Sequence, residues 1–117
     1  MTFKKTTNIE TFNCKLQFII SDDIKKEVDK VYKKYSVIPN DDYELEGILI
    51  SGEMEFYYLI IDAKYLSHNT IAHEIYHSVV RITEDRDVVD EETQAWLCGF
   101  LTEQVYSFIK KKKLEIK

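Results

Sequence analysis

The residues best suited to do chemistry in this chain are His73-Glu74-Ile75-Tyr76-His77, an H-E-x-x-H pattern that uses two of only three histidines. On a helix, residues four apart stand one above the other, so His73 and His77 aim two imidazoles at one point. Two imidazoles so placed can hold two corners of a tetrahedral Zn2+ site. Glu74 lies about 100° round the helix from His73, flanking that point without joining it, as suits a general base working on a metal-bound water. The pattern therefore points to metal-assisted hydrolysis of an amide bond, provided it sits on a helix.

A hydrolytic zinc site keeps three protein ligands and one open position, so a further donor is required. His68 is five residues before His73, about 140° round the helix, and cannot share its face. The acids ahead of and within the next helix are the candidates: Asp85, Asp87, Asp90, Glu91 and Glu92. Glu92 begins a row with Ala95 and Gly99 at i, i+3 and i+7. Small residues in such a row predict a close approach to the motif helix, which a short carboxylate arm needs. Glu92 is thus the expected third ligand, and Glu91, beside Asp87 and Asp90, is left to solvent or to bonds with the ligands. Tyr76, His68 and Tyr106 are candidate donors to a developing oxyanion.

The elements that must position these groups are legible from periodicity. Residues 1–10 are polar and read as a loose lead-in. Phe12, Cys14, Leu16, Phe18 and Ile20 alternate with polar residues and predict a half-buried strand. Ser21-Asp22-Asp23 offers a cap, and Ile24, Val28, Val31, Tyr32 and Tyr35 follow at helical spacing over about 22–35. Residues 36–42, with Pro39, read as a loop. Strands are expected over 43–50 and 54–61 around a Ser51-Gly52-Glu53 turn, the second covered on both faces. Ser67 or Asn69 caps the motif helix, expected to end near Ile82 or Thr83. Asp90 caps a last helix to about Lys112. The order β-α-β-β-α-α describes an α+β domain, a small three-stranded sheet packed by three helices, with 112–117 a second loose end. Tyr57, Tyr58, Trp96 and Phe100 are expected in the core. A peptide could add as a strand along residues 43–50, with Glu44 and Glu46 on the edge.

On His73, Glu74, His77 and Glu92-Thr93-Gln94-Ala95, the chain resembles zincin-like metallopeptidases of the gluzincin type, which carry HExxH on one helix and a glutamate on a following one. With Asn69-Thr70-Ile71-Ala72 leading into the motif, it also looks like small zincin-like proteins encoded by phages and bacteria. The likeness spans roughly residues 43–109. It implies a minimal zincin-like domain that binds Zn2+ through His73, His77 and Glu92 and cleaves a peptide or protein substrate with Glu74 as base. Larger relatives carry an aspartate where Trp96 follows Ala95, so a carboxylate orienting a ligand histidine would come from Asp90 or Glu91, or a backbone carbonyl would serve. No sizeable second lobe is available to wall a substrate cleft. The alternative is therefore a zinc-binding regulatory or interaction protein on the same fold that does not measurably cleave peptides.

The totals agree with a single domain. A chain of 117 residues, 44% hydrophobic and 32% charged, can bury one modest core and is neither a disordered nor a membrane composition. A formal net charge of -5 argues against a nucleic-acid partner, and the lysines at 110–113 read as a solvated helix end. No apolar stretch approaches the roughly 20 residues of a membrane span, and no apolar leader follows Met1. Cys14 and Cys98 lie far apart in apolar patterns without a CxxC. They are expected to be reduced core residues of a cytoplasmic protein.

Overall fold

The computed structural model describes residues 1–35, 46–53 and 55–117. The chain folds as an α+β domain with a four-stranded mixed sheet and three helices. β1 (Thr2–Ile9) and β2 (Cys14–Ser21) are an antiparallel pair joined by a short 3-10 turn. α1 (Ile24–Lys34) crosses over to a hairpin of β3 (Gly47–Ser51) and β4 (Phe56–Asp62). β4 pairs parallel with β2, giving the spatial order β1-β2-β4-β3, and α2 (His68–Asp85) and α3 (Glu91–Lys111) complete the chain.

Strand alternation sorts the side chains into two cores. Leu16, Phe18 and Ile20 of β2 and Tyr57, Leu59 and Ile61 of β4 face a core shared with α2 and α3. Ile19, Tyr58 and Ile60 face the opposite way, against Ile24, Val28 and Val31 of α1. The sheet is thus covered on both sides, and β4 is buried on both faces as its unbroken apolar run predicts. α2 turns Ile71, Ile75, Val79 and Ile82 inward at helical spacing, each burial worth about 1.5–3 kcal/mol. Ser67 caps α2 by accepting from the Thr70 N–H, and Asp90 caps α3 by accepting from the Thr93 N–H.

Three expectations need correcting. The lead-in is not loose: residues 2–9 form an additional strand, so the order is β-β-α-β-β-α-α and the sheet has four strands, not three. Its polar alternation reflects its place at a sheet edge, where only Thr7 and Ile9 are buried. The other end is docked too. Leu114 and Ile116 pack on the larger core, and the Lys117 N–H donates to the Leu66 carbonyl at 2.7 Å. Finally, Trp96 and Cys98 are exposed rather than core, although Tyr57, Tyr58 and Cys14 are buried. The expected loop at 36–42, the strand start at 43–45 with Glu44, and Met54 lie outside the described residues. Among the described residues, no helix is long and apolar enough to cross a membrane.

The edge strand β1 is tied to α1 by a buried carboxylate. Glu27 is 2% exposed and meets Lys4 of β1 at 3.0 Å and Lys30 at 3.2 Å. Burial pushes its carboxyl up, but hydrogen bonds and charge from Lys4 and Lys30 outweigh this and leave it below the ordinary glutamate value. A carboxyl depressed in the folded state stabilises fully above its unfolded value of about 4.3 and loses that contribution as pH falls through the folded value. Both lysines are half exposed, so solvent screening keeps the gain to about 1 kcal/mol. Glu27→Gln should therefore lower the urea midpoint at pH 7 and flatten its fall below about pH 4. Parallel pH profiles for the two proteins would contradict this.

Candidate metal centre

α2 is buried along one stripe, so the rest of its circumference is free to carry functional groups. His73 and His77, one turn apart, are exposed, and their Nε2 atoms stand 3.0 Å from each other. Two neutral imidazoles facing through lone pairs repel, as do two N–H groups. So close an approach calls for a shared proton or a shared cation. Two nitrogens on one tetrahedral zinc, each at about 2.0–2.1 Å, would be roughly 3.3 Å apart. The observed 3.0 Å separation is within about 0.3 Å of that span.

Glu74 is held differently. It is 5% exposed, yet its Oε1 lies 4.0 Å from the His73 Nε2. The space for its side chain comes from Gly47, at the start of the edge strand β3. A Cβ built there would lie 2.8 Å from the Glu74 Cγ, 3.0 Å from its Cδ and 3.2 Å from the Ile60 carbonyl oxygen. A side chain at position 47 would occupy the ground on which the carboxylate stands. Burial raises the Glu74 carboxyl above its ordinary value, while the His77 and His73 imidazoles pull it down. A carboxylate so placed is a stronger base than one in water.

Between α2 and β3 these residues border an open cleft of about 330 Å³, lined by Gly47, Ile48, Leu49, His73, Glu74, His77, Val80, Arg81 and Glu84. Arg81 and Glu84 follow His77 along the helix, and Arg81 donates from Nη1 to the Ser51 Oγ at 3.1 Å. Sequence reasoning missed Arg81, though its place four residues after His77 put it on the same face.

The other sequence candidates are placed elsewhere. Glu92 is exposed in the first turn of α3, and the structure does not bring it to the histidines. Among the described residues, no three His, Cys, Asp or Glu side chains are grouped so as to hold a metal. The short link between α2 and α3 makes them antiparallel, with Gln94 meeting Thr83 at one end and Tyr106 meeting His68 at the other. Glu92 is then roughly 10 Å along the axis from the level of His77. Nor does its row face α2: Ala95 is exposed, and a Cβ on Gly99 would meet nothing within 4 Å. The inward face of α3 is instead Leu97, Leu101, Val105 and Phe108.

Asp85 accepts from the Tyr57 hydroxyl at 2.6 Å, and Asp90 is spent on capping α3. Asp87 takes a left-handed turn conformation with φ 57, and Glu91 is exposed beside Glu92. Of the candidate oxyanion donors, His68 and Tyr106 bond to each other at 2.7 Å, and Tyr76 is 67% exposed. None of the three lines the cleft. β3 is an edge strand, as substrate addition requires, and Glu46 just before it accepts from the Thr70 hydroxyl at 3.4 Å.

Gly47→Ala should expel the Glu74 carboxylate toward solvent. Its titration, followed by carbon NMR of the side-chain carboxyls, should then move down toward the ordinary glutamate range while the chain stays folded; an unchanged titration would contradict the packing described. No family model, curated protein or solved structure matches this chain, so its functional reading rests on the geometry of the site itself.

Proposed function

We propose that this protein is a zinc-dependent hydrolase of peptide bonds, with His73 and His77 holding the metal and Glu74 as general base. The observation that carries the reading is the convergence of two imidazole nitrogens at 3.0 Å beside a buried carboxylate 4.0 Å away, all opening on one cleft. Structural pressure alone does not account for it, since a buried carboxylate without a paired cation is costly and Gly47 is needed to admit it. Zinc held by the two imidazoles would supply Lewis-acid chemistry, making hydroxide accessible near neutral pH and polarising a carbonyl. Glu74 takes the proton of the attacking water and passes it to the leaving amine. Among the described residues β3 has a neighbouring strand on one side only, and its other edge is offered to an extended peptide, with the carbonyl to be attacked brought level with Gly47 and Glu74.

A second reading is favoured by one observation: the described residues bring no third protein donor to the histidines. On that reading the domain is a zinc-binding interaction protein that turns nothing over. The buried Glu74 argues for the catalytic reading, because a metal kept only for structure needs no base beside it.

Three variants separate these readings. Glu74→Gln should keep zinc and lower peptide hydrolysis by about 10²–10⁴-fold. His77→Ala should lose the metal. Glu92→Ala should keep it, in contrast to what the sequence alone suggests. Elemental analysis with a peptide-cleavage assay decides: wild-type protein without stoichiometric zinc overturns both readings, and full activity in Glu74→Gln overturns the catalytic one.

A further inference from the structure

The chain has sixteen basic residues, of which only Arg81 and Arg86 are arginines, and the two are used in opposite ways. Arg86 is committed to structure. Its Nε donates to the Phe12 carbonyl at 2.7 Å, its Nη1 donates to the Tyr57 hydroxyl at 2.9 Å, and its guanidinium lies over the Tyr57 ring. Arg81 is exposed in the cleft wall, and among the described residues its one side-chain bond runs from Nη1 to the Ser51 hydroxyl. Among the described residues, no carboxylate lies within ion-pairing distance of it and no aromatic ring lies under it. Beyond that bond the guanidinium keeps further N–H donors in the exposed wall of the cleft, in the fork geometry that binds a carboxylate through two parallel bonds.

Its place along the cleft is set by two elements. β3 runs beside α2 in the same direction, with Gly47 against Glu74 and Ser51 against Arg81. Arg81 stands about 6 Å further along the helix than His77, and Ser51 about 13 Å further along the strand than Gly47. At about 3.3 Å per residue, an extended peptide on the β3 edge spans that interval in two to four residues.

We infer that Arg81 makes this cleft selective for substrates carrying a carboxylate two to four residues from the bond to be cut. The inference rests on the reading of the cleft as a peptide site. A peptide antiparallel to β3 presents an acidic side chain there, on the N-terminal side of the cut. A peptide parallel to β3 presents either an acidic side chain or its own C-terminal carboxylate. Glu84, which lines the same cleft one turn beyond Arg81, repels an acid placed further out and so confines the carboxylate to the stretch between His77 and Arg81.

The test separates selectivity from catalysis. Fluorescent hexapeptides are titrated onto zinc-loaded Glu74→Gln protein, with Glu or Gln at each position and with free or amidated C-termini. Glu peptides, or free-acid peptides if the chain end is the group read, should bind about 10-fold tighter than their neutral counterparts. Adding Arg81→Gln should abolish the difference, Arg81→Lys should restore part of it, and Glu84→Gln should enlarge it. Equal binding of acidic and neutral peptides, or a preference that survives Arg81→Gln, overturns the inference. Wild-type cleavage is measured alongside. Arg81-dependent binding without cleavage upholds a carboxylate-selective peptide cleft and removes the hydrolase reading, whereas cleavage with no acidic preference does the reverse.

Discussion

The site depends on one steric constraint: the edge strand passes so close to the Glu74 side chain that a Cβ at position 47 would displace it. The Glu74 side chain fills the space that a Cβ would claim, so the carboxylate is buried yet opens on the cleft beside the histidines. The rotational phase of α2 follows from the same contact. With Ile71, Ile75, Val79 and Ile82 in the core and Glu74 against β3, His73 and His77 are left facing solvent with their Nε2 atoms converging. A rotation by one residue, about 100°, would break the apolar stripe and the glutamate contact together. Core packing and site geometry are therefore the same requirement.

Most polar groups near the ends of α2 are spent on structure. Ser67 and Asp90 cap helices, Ser78 and Thr83 return their hydroxyls to carbonyls one turn back, and Arg86 joins the end of α2 to the Phe12 carbonyl and to Tyr57. Burial and the Asp85 carboxylate push the Tyr57 hydroxyl up to about 12, so it remains a donor at any physiological pH. Against that background, among the described residues, the side chains of His73, His77 and Glu74 stand out because no bond to a cap, a backbone carbonyl or another element explains them. Buried or clustered polar groups that the fold does not need are where function is to be sought.

The parts of this arrangement that are local in sequence were legible there. The H-E-x-x-H spacing, a cap at Ser67 or Asn69 (the structure uses Ser67) and one at Asp90, the hairpin around Gly52 and the doubly covered strand at Phe56–Asp62 all follow from short-range periodicity and turn chemistry. The parts set by how elements meet were not. β1 escaped because an edge strand with one half-buried face leaves little apolar alternation to see. The row of Glu92 with Ala95 and Gly99 has the small residues of a packing face, whereas the apolar row from Leu97 to Phe108 is the one that packs. The short α2–α3 link held the needed signal: it makes the helices antiparallel and sets Glu92 opposite the end of α2, well past the histidines. Gly47 carried no mark of its role in the sequence, since a close approach shows only when both elements are in place.

The central claim is that His73 and His77 bind one zinc ion together. Zinc-edge X-ray absorption on protein loaded with one equivalent tests it most directly. Two imidazole rings bonded at about 2.0–2.1 Å, reduced to one in His77→Ala, is the result the account predicts. A zinc environment without imidazole scattering, or one unchanged by that substitution, would contradict it.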